Sequence, residues 1–372
     1  MDSSDDKFAV SGPMHMMEIG TGSSPTKMAA IDWDNQEHRR CIAACLTNGI
    51  YVMENDRSKI RLRQRAHELA PAWWESFHFQ LFDKLEHPCK CICCKMSGDG
   101  TRFIYGAVFK YSPPGGAPPP PPPPPVCFIV AFRGTMPRDP TSFGDMGLNL
   151  RVLFNRQHSS SRFRNARELV EQLLDSNPNR VVWLAGHSLG ASMALDVGRY
   201  MMIKRKHNNL PAFLFNPPQV SLAPAASGMD EKAKRRLYGF SYSLKYGLGQ
   251  TILWPLRRHM EVLFEWLSPW VPEIYVHDRD GICKGFIDYF VMREQMGEHL
   301  GPHVARSATM LSYRDGLIFS AVVGFGEKNK EQPHLLPSAR LWLNSTADGN
   351  AHELRQWWQP KLMLTSKQYK WV

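Results

Sequence analysis

The chain has 372 residues, of which 43% are hydrophobic and 22% charged, and its formal net charge is +10. This composition excludes an intrinsically disordered chain and is typical of a globular protein with a sizeable core. Because the positive charge is spread over a long chain, it is only mild evidence for a nucleic acid or an anionic membrane surface as a partner.

The sequence contains no apolar run of about 18 residues, so it predicts no transmembrane helix. Its first residues are polar and acidic and do not form the basic and apolar segments of a signal peptide. We therefore expect a cytoplasmic protein whose eight cysteines are mostly reduced. Residues 1–30 show no hydrophobic period, and we expect them to form a mobile tail.

The first third of the chain predicts a helix, a strand and a proline-rich loop. From residue 33 to about 67, apolar side chains recur at helical spacing. The aromatic-rich stretch 69–79 is expected to pack as a cap on the core, and residues 103–109 are predicted to form a strand. Residues 113–125 include eight consecutive prolines, which cannot join a sheet and predict a polyproline II loop. We interpret this loop as an expanded hairpin connection, with a ligand for a proline-recognition domain as the alternative.

Strands and helices alternate in the next part of the chain. The continuous apolar runs at 126–132 and 181–185 predict strands that are buried on both faces, and 211–215 predicts a third. Apolar residues spaced three to four apart predict helices at 163–174 and 191–202. This alternation indicates an α/β fold with a mostly parallel central sheet flanked by helices.

The pattern Gly-His-Ser-Leu-Gly at 186–190 lies between a predicted strand and a predicted helix. A sharp strand-to-helix turn with glycines on both sides presents a serine hydroxyl above the sheet as a nucleophile. The helix N-terminus then favours the negative charge of a tetrahedral intermediate. We predict that Ser188 is this nucleophile; the alternative is a plain turn whose glycines serve packing.

A nucleophilic serine needs a base and an acid that orients the base, in the chain order serine, acid, histidine. Catalytic groups of open α/β sheets lie beyond the carboxyl ends of strands. Asp278 and Asp280 follow a predicted strand at 272–276, and we choose Asp280 as the acid. His352 follows a strand at 340–344, which we predict to be the last one, and is chosen as the base.

An oxyanion hole needs two hydrogen-bond donors. The backbone N–H of Leu189, directly after the nucleophile, is predicted to be one of them. Phe132-Arg-Gly-Thr135 follows an earlier buried strand, and Gly134 lets its backbone turn close to a substrate. We predict that Thr135 supplies the second donor through its N–H and its hydroxyl.

Two of these motifs together resemble the class 3 lipase family of α/β-hydrolases. They are Val-Ala-Phe-Arg-Gly-Thr at 130–135 and Ala-Gly-His-Ser-Leu-Gly-Ala at 185–191. The resemblance implies an α/β-hydrolase fold and carboxylic ester hydrolysis. In that family the residue after Arg-Gly helps to form the oxyanion hole and the serine is the nucleophile, which correspond here to Thr135 and Ser188.

The sequence is most similar to a plant branch of lipase-like proteins that are often labelled GDSL esterase/lipase. The label does not describe the chemistry, because the chain contains no Gly-Asp-Ser-Leu. The matching motifs lie at 32–40, 69–81, 212–218, 336–344 and 351–358. Together they extend over residues 30–365, most of the chain.

The chain departs from this branch at two positions. His277 stands where the branch often has asparagine before the acid loop, and Arg355 stands where it tends to have a second histidine after the base. If the base belonged at that second position, the protein would have lost most of its activity. His352 is the histidine that this chain retains in the motif.

Two further segments have open interpretations. The cysteines at 89, 91, 93 and 94 lack the second half of a zinc site, so we expect loop thiols and no bound metal. The segment at about 219–271 combines basic patches with aromatic residues. It is interpreted as a helical lid or a surface for peripheral contact with anionic lipid, the alternative being a helical cap that only packs on the sheet.

The sequence thus predicts one α/β-hydrolase domain over residues 31–372, with a helical insertion, that hydrolyses carboxylic esters, including acyl lipids, through an acyl-serine. No cofactor is expected and no nucleic-acid motif is present. A catalytically silent protein of the same fold, used for binding or as a scaffold, is the alternative. Transfer of the acyl group to an acceptor other than water is a third.

Overall fold

The computed structural model describes most of the chain outside its longest loops. The described ranges are 31–61, 73–88, 102–112, 126–136, 161–205, 209–219, 228–312, 335–347, 349–359 and 362–371. Three predictions therefore lie outside the described residues: the N-terminal tail at 1–30, the Cys89–Cys94 cluster and the proline-rich loop at 113–125.

Among the described residues, eight strands form one sheet, and each strand pairs with the next one in sequence. They are β1 (Phe79–Pro88), β2 (Arg102–Tyr111), β3 (Phe128–Phe132), β4 (Val182–His187), β5 (Ala212–Phe215), β6 (Glu273–His277), β7 (Ala339–Asn344) and β8 (Thr365–Tyr369). Strands β3 to β7 run parallel. β1, β2 and β8 pair antiparallel at the two edges. The predicted α/β-hydrolase fold, with a mostly parallel central sheet, is confirmed.

Both edges of the sheet carry a strand that the sequence did not predict. The stretch predicted to be an aromatic cap forms a 3₁₀ helix at Trp73–Phe77 and then enters β1. The prediction that 340–344 is the last strand is wrong, because β8 follows it and pairs with it. Most side chains of β8 are exposed, so this edge strand lacks the apolar run that identifies a buried strand.

Seven α-helices lie among the described residues. They are α1 (Gln36–Arg61), α2 (Ser161–Ser176), α3 (Leu189–Lys204), α4 (Glu231–Gln250), α5 (Trp254–Leu267), α6 (Lys284–Leu300) and α7 (Pro302–Thr309). A second 3₁₀ helix spans Leu354–Trp358. The predicted amphipathic stripe of α2 is confirmed, since its apolar residues are the buried ones.

The core consists of two hydrophobic clusters on opposite faces of the sheet. Successive side chains of a strand point to opposite faces, and in β3 Val130 and Phe132 join one cluster while Ile129 and Ala131 join the other. Helices α2, α3 and α6 cover the first face. Helix α1 and both 3₁₀ helices cover the second, so the N-terminal helix is part of the main core.

Helices α4 and α5 lie in the predicted insertion and pack in two smaller clusters. Tyr242 of α4 is buried against Met296 of α6, and Phe264 of α5 is buried against Met310. The outer sides of the two helices and the turn between them leave large apolar side chains in solvent, namely Phe240, Leu244, Ile252, Trp254, Val262 and Trp266. No helix in the described part of the chain is long and apolar enough to cross a membrane.

Candidate active site

The turn between β4 and α3 holds Ser188 in a backbone conformation that few residues adopt. Its φ is 54° and its ψ is −123°, an arrangement that persists only where the surrounding structure enforces it. Its N–H donates to the carbonyl of Phe215 at 2.9 Å, which fixes the turn against β5. A Cβ on Gly186 would overlap the backbone of Gly190, so the turn requires glycine there.

The structure places Ser188, His352 and Asp280 in one hydrogen-bonded row. Oγ of Ser188 lies 3.0 Å from Nε2 of His352, and Nδ1 of His352 lies 2.8 Å from Oδ2 of Asp280. A carboxylate only accepts, so Nδ1 carries the proton and Nε2 is free to accept from the serine hydroxyl. All three residues are buried, which protects the row from competing water.

The carboxylate of Asp280 is fixed by further donors. The N–H of Ile282 donates to Oδ1 at 3.0 Å, and the side-chain amide of Asn216 donates to Oδ2 at 2.8 Å. Burial alone would raise the pKa of Asp280, but the hydrogen bond and the charge of His352 outweigh it and hold that pKa below its usual range. Asp280 is therefore a carboxylate that can stabilise an imidazolium.

Asp278 and His277, which precede the acid, do not enter this row. Asp278 is 40% exposed at its side chain and lies 3.1 Å from Nδ1 of His277. The N–H of Arg279 donates to the same nitrogen of His277. Of the two acids that follow β6, it is thus Asp280 that faces the base.

A second hydrogen-bonded row ties the N-terminal helix to the base. The N–H of Gly134 donates to the Tyr51 hydroxyl oxygen at 2.6 Å, and that hydroxyl lies 2.8 Å from Nδ1 of His187. Nε2 of His187 lies 2.9 Å from the backbone oxygen of His352. A carbonyl only accepts, so Nε2 of His187 carries the proton and Tyr51 donates to Nδ1.

The ionisation states of this second row are fixed by burial. Burial, helped by the nearby charge of His352, lowers the pKa of His187 to about 3. Burial also raises the pKa of the Tyr51 hydroxyl far above its usual value. Both groups are therefore neutral at ordinary pH, and the direction of each hydrogen bond is maintained.

The residues predicted for the oxyanion hole lie at two places beside the serine. Leu189 is the first residue of α3, where backbone N–H groups have no partner within the helix. A Cβ on Gly134 would come within 2.8 Å of Cβ of Ser188, so this loop passes directly beside the nucleophile. Thr135 follows Gly134 and is exposed. The N–H of Gly134 is already donated to Tyr51.

Arg355, which replaces the second histidine of the family motif, lies outside both rows. Its Nε is 3.9 Å from the Glu353 carboxylate, and about a third of its side chain is exposed. Its backbone oxygen accepts from the Gln359 side chain at 3.1 Å. The substitution therefore leaves the Ser188–His352 contact intact.

Sequence reasoning missed Tyr51, His187 and Asn216 as parts of the site. Their roles depend on contacts between segments far apart in the chain, which periodicity does not reveal. A signal that could have found two of them is their position at the carboxyl ends of buried strands, since His187 is the last residue of β4 and Asn216 is the first after β5. In the described part of the chain, no three His, Cys, Asp or Glu residues are grouped as a metal site would require.

The chain is similar to known proteins. Residues 130–243 match the family described as Lipase (class 3). The chain is 31% identical to "GDSL esterase/lipase At4g10955" of Arabidopsis thaliana over 381 residues, 98% of each chain. A lipase structure from Rhizopus microsporus var. chinensis overlaps 72% of this chain and 76% of its own, with a TM-score of 0.35 and 15% identity.

Proposed function

The chain belongs to the class 3 lipase family, a family of hydrolases that act on esters, and from this premise we propose that it hydrolyses carboxylic esters through an acyl intermediate on Ser188. The observation that carries the proposal is the ordered, buried row Ser188–His352–Asp280, with separations of 3.0 and 2.8 Å. A nucleophile, a base and an orienting acid in hydrogen-bond contact are what acyl transfer requires.

In the first half of the reaction, Oγ of Ser188 attacks the ester carbonyl carbon while Nε2 of His352 accepts its proton. Asp280 stabilises the imidazolium without taking the proton. The oxyanion is bound by the N–H of Leu189, aided by the partial positive charge at the start of α3, and by Thr135 from the neighbouring loop. Collapse of the intermediate releases the alcohol, which takes the proton from His352.

In the second half, water replaces the alcohol. His352 accepts a proton from water as the water oxygen attacks the acyl carbon. The second tetrahedral intermediate then collapses to the free acid, and His352 returns the proton to Oγ of Ser188 as that bond breaks. Transfer to another alcohol differs only in the acceptor and uses the same residues. The intact contact between Ser188 and His352 argues against the alternative of a catalytically silent protein.

We further propose acyl lipids as the substrate class. The relative from Arabidopsis thaliana is named an esterase/lipase, and the family model is that of a lipase. Helices α4 and α5 leave apolar side chains in solvent and also carry the exposed basic residues Arg235, Arg236 and Arg258. Such a surface suits peripheral contact with anionic lipid.

Hydrolysis of p-nitrophenyl esters of increasing acyl length tests the proposed reaction. The parent is expected to hydrolyse them, and Ser188→Ala is expected to lower kcat by at least about 10⁴-fold. Ser192→Ala is the matched control, because Ser192 lies one turn along α3 and its buried hydroxyl has no hydrogen-bond partner among the described residues. Equal rates for the parent and Ser188→Ala would contradict the proposal.

A further inference from the structure

Asn216 occupies the first position after β5, directly below the proposed catalytic row. It is fully buried, and its φ is 47°, in the left-handed region that asparagine adopts more readily than most residues. Its N–H donates to the carbonyl of Tyr275 at 2.8 Å. The preceding residue, Phe215, accepts the N–H of Ser188. One turn of backbone thus contacts the serine turn and carries the Asn216 side chain towards the acid.

The orientation of the Asn216 amide is determined by its partners. The indole N–H of Trp357 can only donate, and it lies 2.5 Å from Oδ1 of Asn216. The amide nitrogen therefore faces the opposite way. There it donates to Oδ2 of Asp280 at 2.8 Å and to the carbonyl of Ala351 at 3.0 Å.

One of these acceptors belongs to the acid itself and the other to the loop that carries the base, and the row depends on how these two segments are placed relative to each other. Oδ2 of Asp280 is the same oxygen that accepts from Nδ1 of His352. Ala351 directly precedes His352 in the chain. The amide therefore links the acid to the loop of the base by two adjacent hydrogen bonds.

We propose that Asn216 is a positioning residue that sets the orientation of the Asp280 carboxylate relative to His352. The proposal rests on the proposed function of the row. It gives the Asn216 amide a role that does not follow from the sequence motifs. Without the amide, the Asp280 carboxylate keeps His352 as a donor at Oδ2 and the N–H of Ile282 at Oδ1, so Oδ2 is held less firmly against the base. Small displacements within a catalytic row lower kcat strongly.

A neighbouring glutamine provides a control that distinguishes this role from simple anchoring of the loop that carries His352. Nε2 of Gln356 also donates to the carbonyl of Ala351, at 2.7 Å. Oε1 of Gln356 accepts from the side chain of Asn344 at 2.9 Å. Gln356 thus holds the loop of the base as Asn216 does, but in the described part of the chain it makes no hydrogen bond to Asp280. Gln356→Ala is the matched control for loss of loop anchoring alone.

The test compares Asn216→Gly with Asn216→Ala in the full-length protein. Glycine adopts the left-handed conformation without strain, whereas alanine does not, so alanine lowers stability further. If the amide positions the acid, both variants lose kcat to the same extent, about 10- to 100-fold, with KM unchanged within about twofold. Gln356→Ala is expected to change kcat by less than about threefold.

A spectroscopic readout makes the outcome independent of turnover. In the parent, the Nδ1–H proton of His352 that faces Asp280 should give a downfield proton resonance, which Asn216→Gly should shift or broaden. A parent that shows this resonance but hydrolyses no ester would contradict the proposed function, and the positioning role would then be decided by whether Asn216→Gly changes the resonance. Asn216→Gly with parental kcat and an unchanged resonance would overturn the positioning role.

Trp357→Phe covers the case in which Asn216→Gly does not fold. It removes the indole donor that orients the amide and retains an aromatic ring against Phe215 and Tyr275. The amide oxygen then loses the donor that fixes it, and the amide is held only from its nitrogen side, so kcat should fall about three- to tenfold with a perturbed His352 resonance. Parental kcat and an unchanged resonance in this variant would contradict the proposal.

Discussion

Tyr51 of the N-terminal helix donates its hydroxyl proton to Nδ1 of His187, which lies 136 residues further along the chain and 2.8 Å away. The tyrosine oxygen also accepts the N–H of Gly134, and Nε2 of His187 reaches the carbonyl of His352. One hydroxyl therefore connects the loop of Thr135, the turn of Ser188 and the loop of the base.

Tyr51→Phe should weaken both stability and activity, because it leaves the Gly134 N–H and the His187 ring nitrogen without a partner. We expect the free energy of unfolding to fall by about 1–3 kcal/mol and kcat to fall by up to about 100-fold. Denaturant unfolding and ester kinetics measure the two effects. Tyr289→Phe is the control, because its hydroxyl donates only to the carbonyl of Leu336, away from the row. It should lower stability without changing kcat.

The low pKa of His187 predicts how stability depends on pH. An unperturbed histidine titrates near about 6.5, whereas burial lowers the pKa of His187 to about 3. Between these values the unfolded chain binds a proton that the folded chain does not. Stability should therefore fall as the pH falls through this window, by at most about 1.4 kcal/mol per pH unit from this group.

His187→Gln isolates that contribution, because glutamine can accept and donate but does not titrate. Unfolding measured from about pH 6.5 to about 4.5 should show a shallower loss of stability in the variant. The carboxyl of Asp280 titrates below this range, since its pKa is lowered. The same slope in parent and variant would show that His187 titrates normally in the folded chain.

Gly190 permits α3 to pass against the end of β3. A Cβ at this position would overlap the backbone carbonyl of Phe132, which cannot move aside as a side chain can. We expect Gly190→Ala to lower the free energy of unfolding by about 3 kcal/mol or more and to abolish hydrolysis. Gly247→Ala is the matched control. It lies within α4 with no atom near its added Cβ, and should stabilise the protein by up to about 1 kcal/mol.

Restoring the family histidine at position 355 should have no effect on hydrolysis. The Arg355 side chain contacts Glu353 and does not reach the serine. Arg355→His is expected to keep kcat within about twofold, as surface substitutions usually do. In the double variant His352→Ala with Arg355→His, activity should stay at the level of His352→Ala. Recovery in the double variant would show that position 355 can supply the base.

The fold class and the row of Ser188, Asp280 and His352 could be chosen from sequence because each depends on a local signal. Buried parallel strands are continuous apolar runs, and the three residues follow the ends of such strands. The strands β1 and β8 were missed, because a half-exposed edge strand has no such run. Their place in the sheet is set by pairing with a neighbour and not by their own composition.

The residues that support the row could not be derived in this way. Tyr51 lies in a helix whose spacing only indicates that one face is buried. Asn216 lies in a motif that the family resemblance covers, but the resemblance gives no partner for its amide. Both roles depend on which hydrogen-bond donors and acceptors meet in space, and only the folded chain specifies that.

The most direct test of the account is whether Ser188 is an activated nucleophile. The purified protein is treated with a fluorophosphonate probe, and the labelled peptide is identified by mass spectrometry alongside Ser188→Ala and His352→Ala. We predict near-stoichiometric labelling of the parent at Ser188, none of Ser188→Ala and strongly slowed labelling of His352→Ala. A folded parent that takes up no label, or label at another serine, would contradict the account.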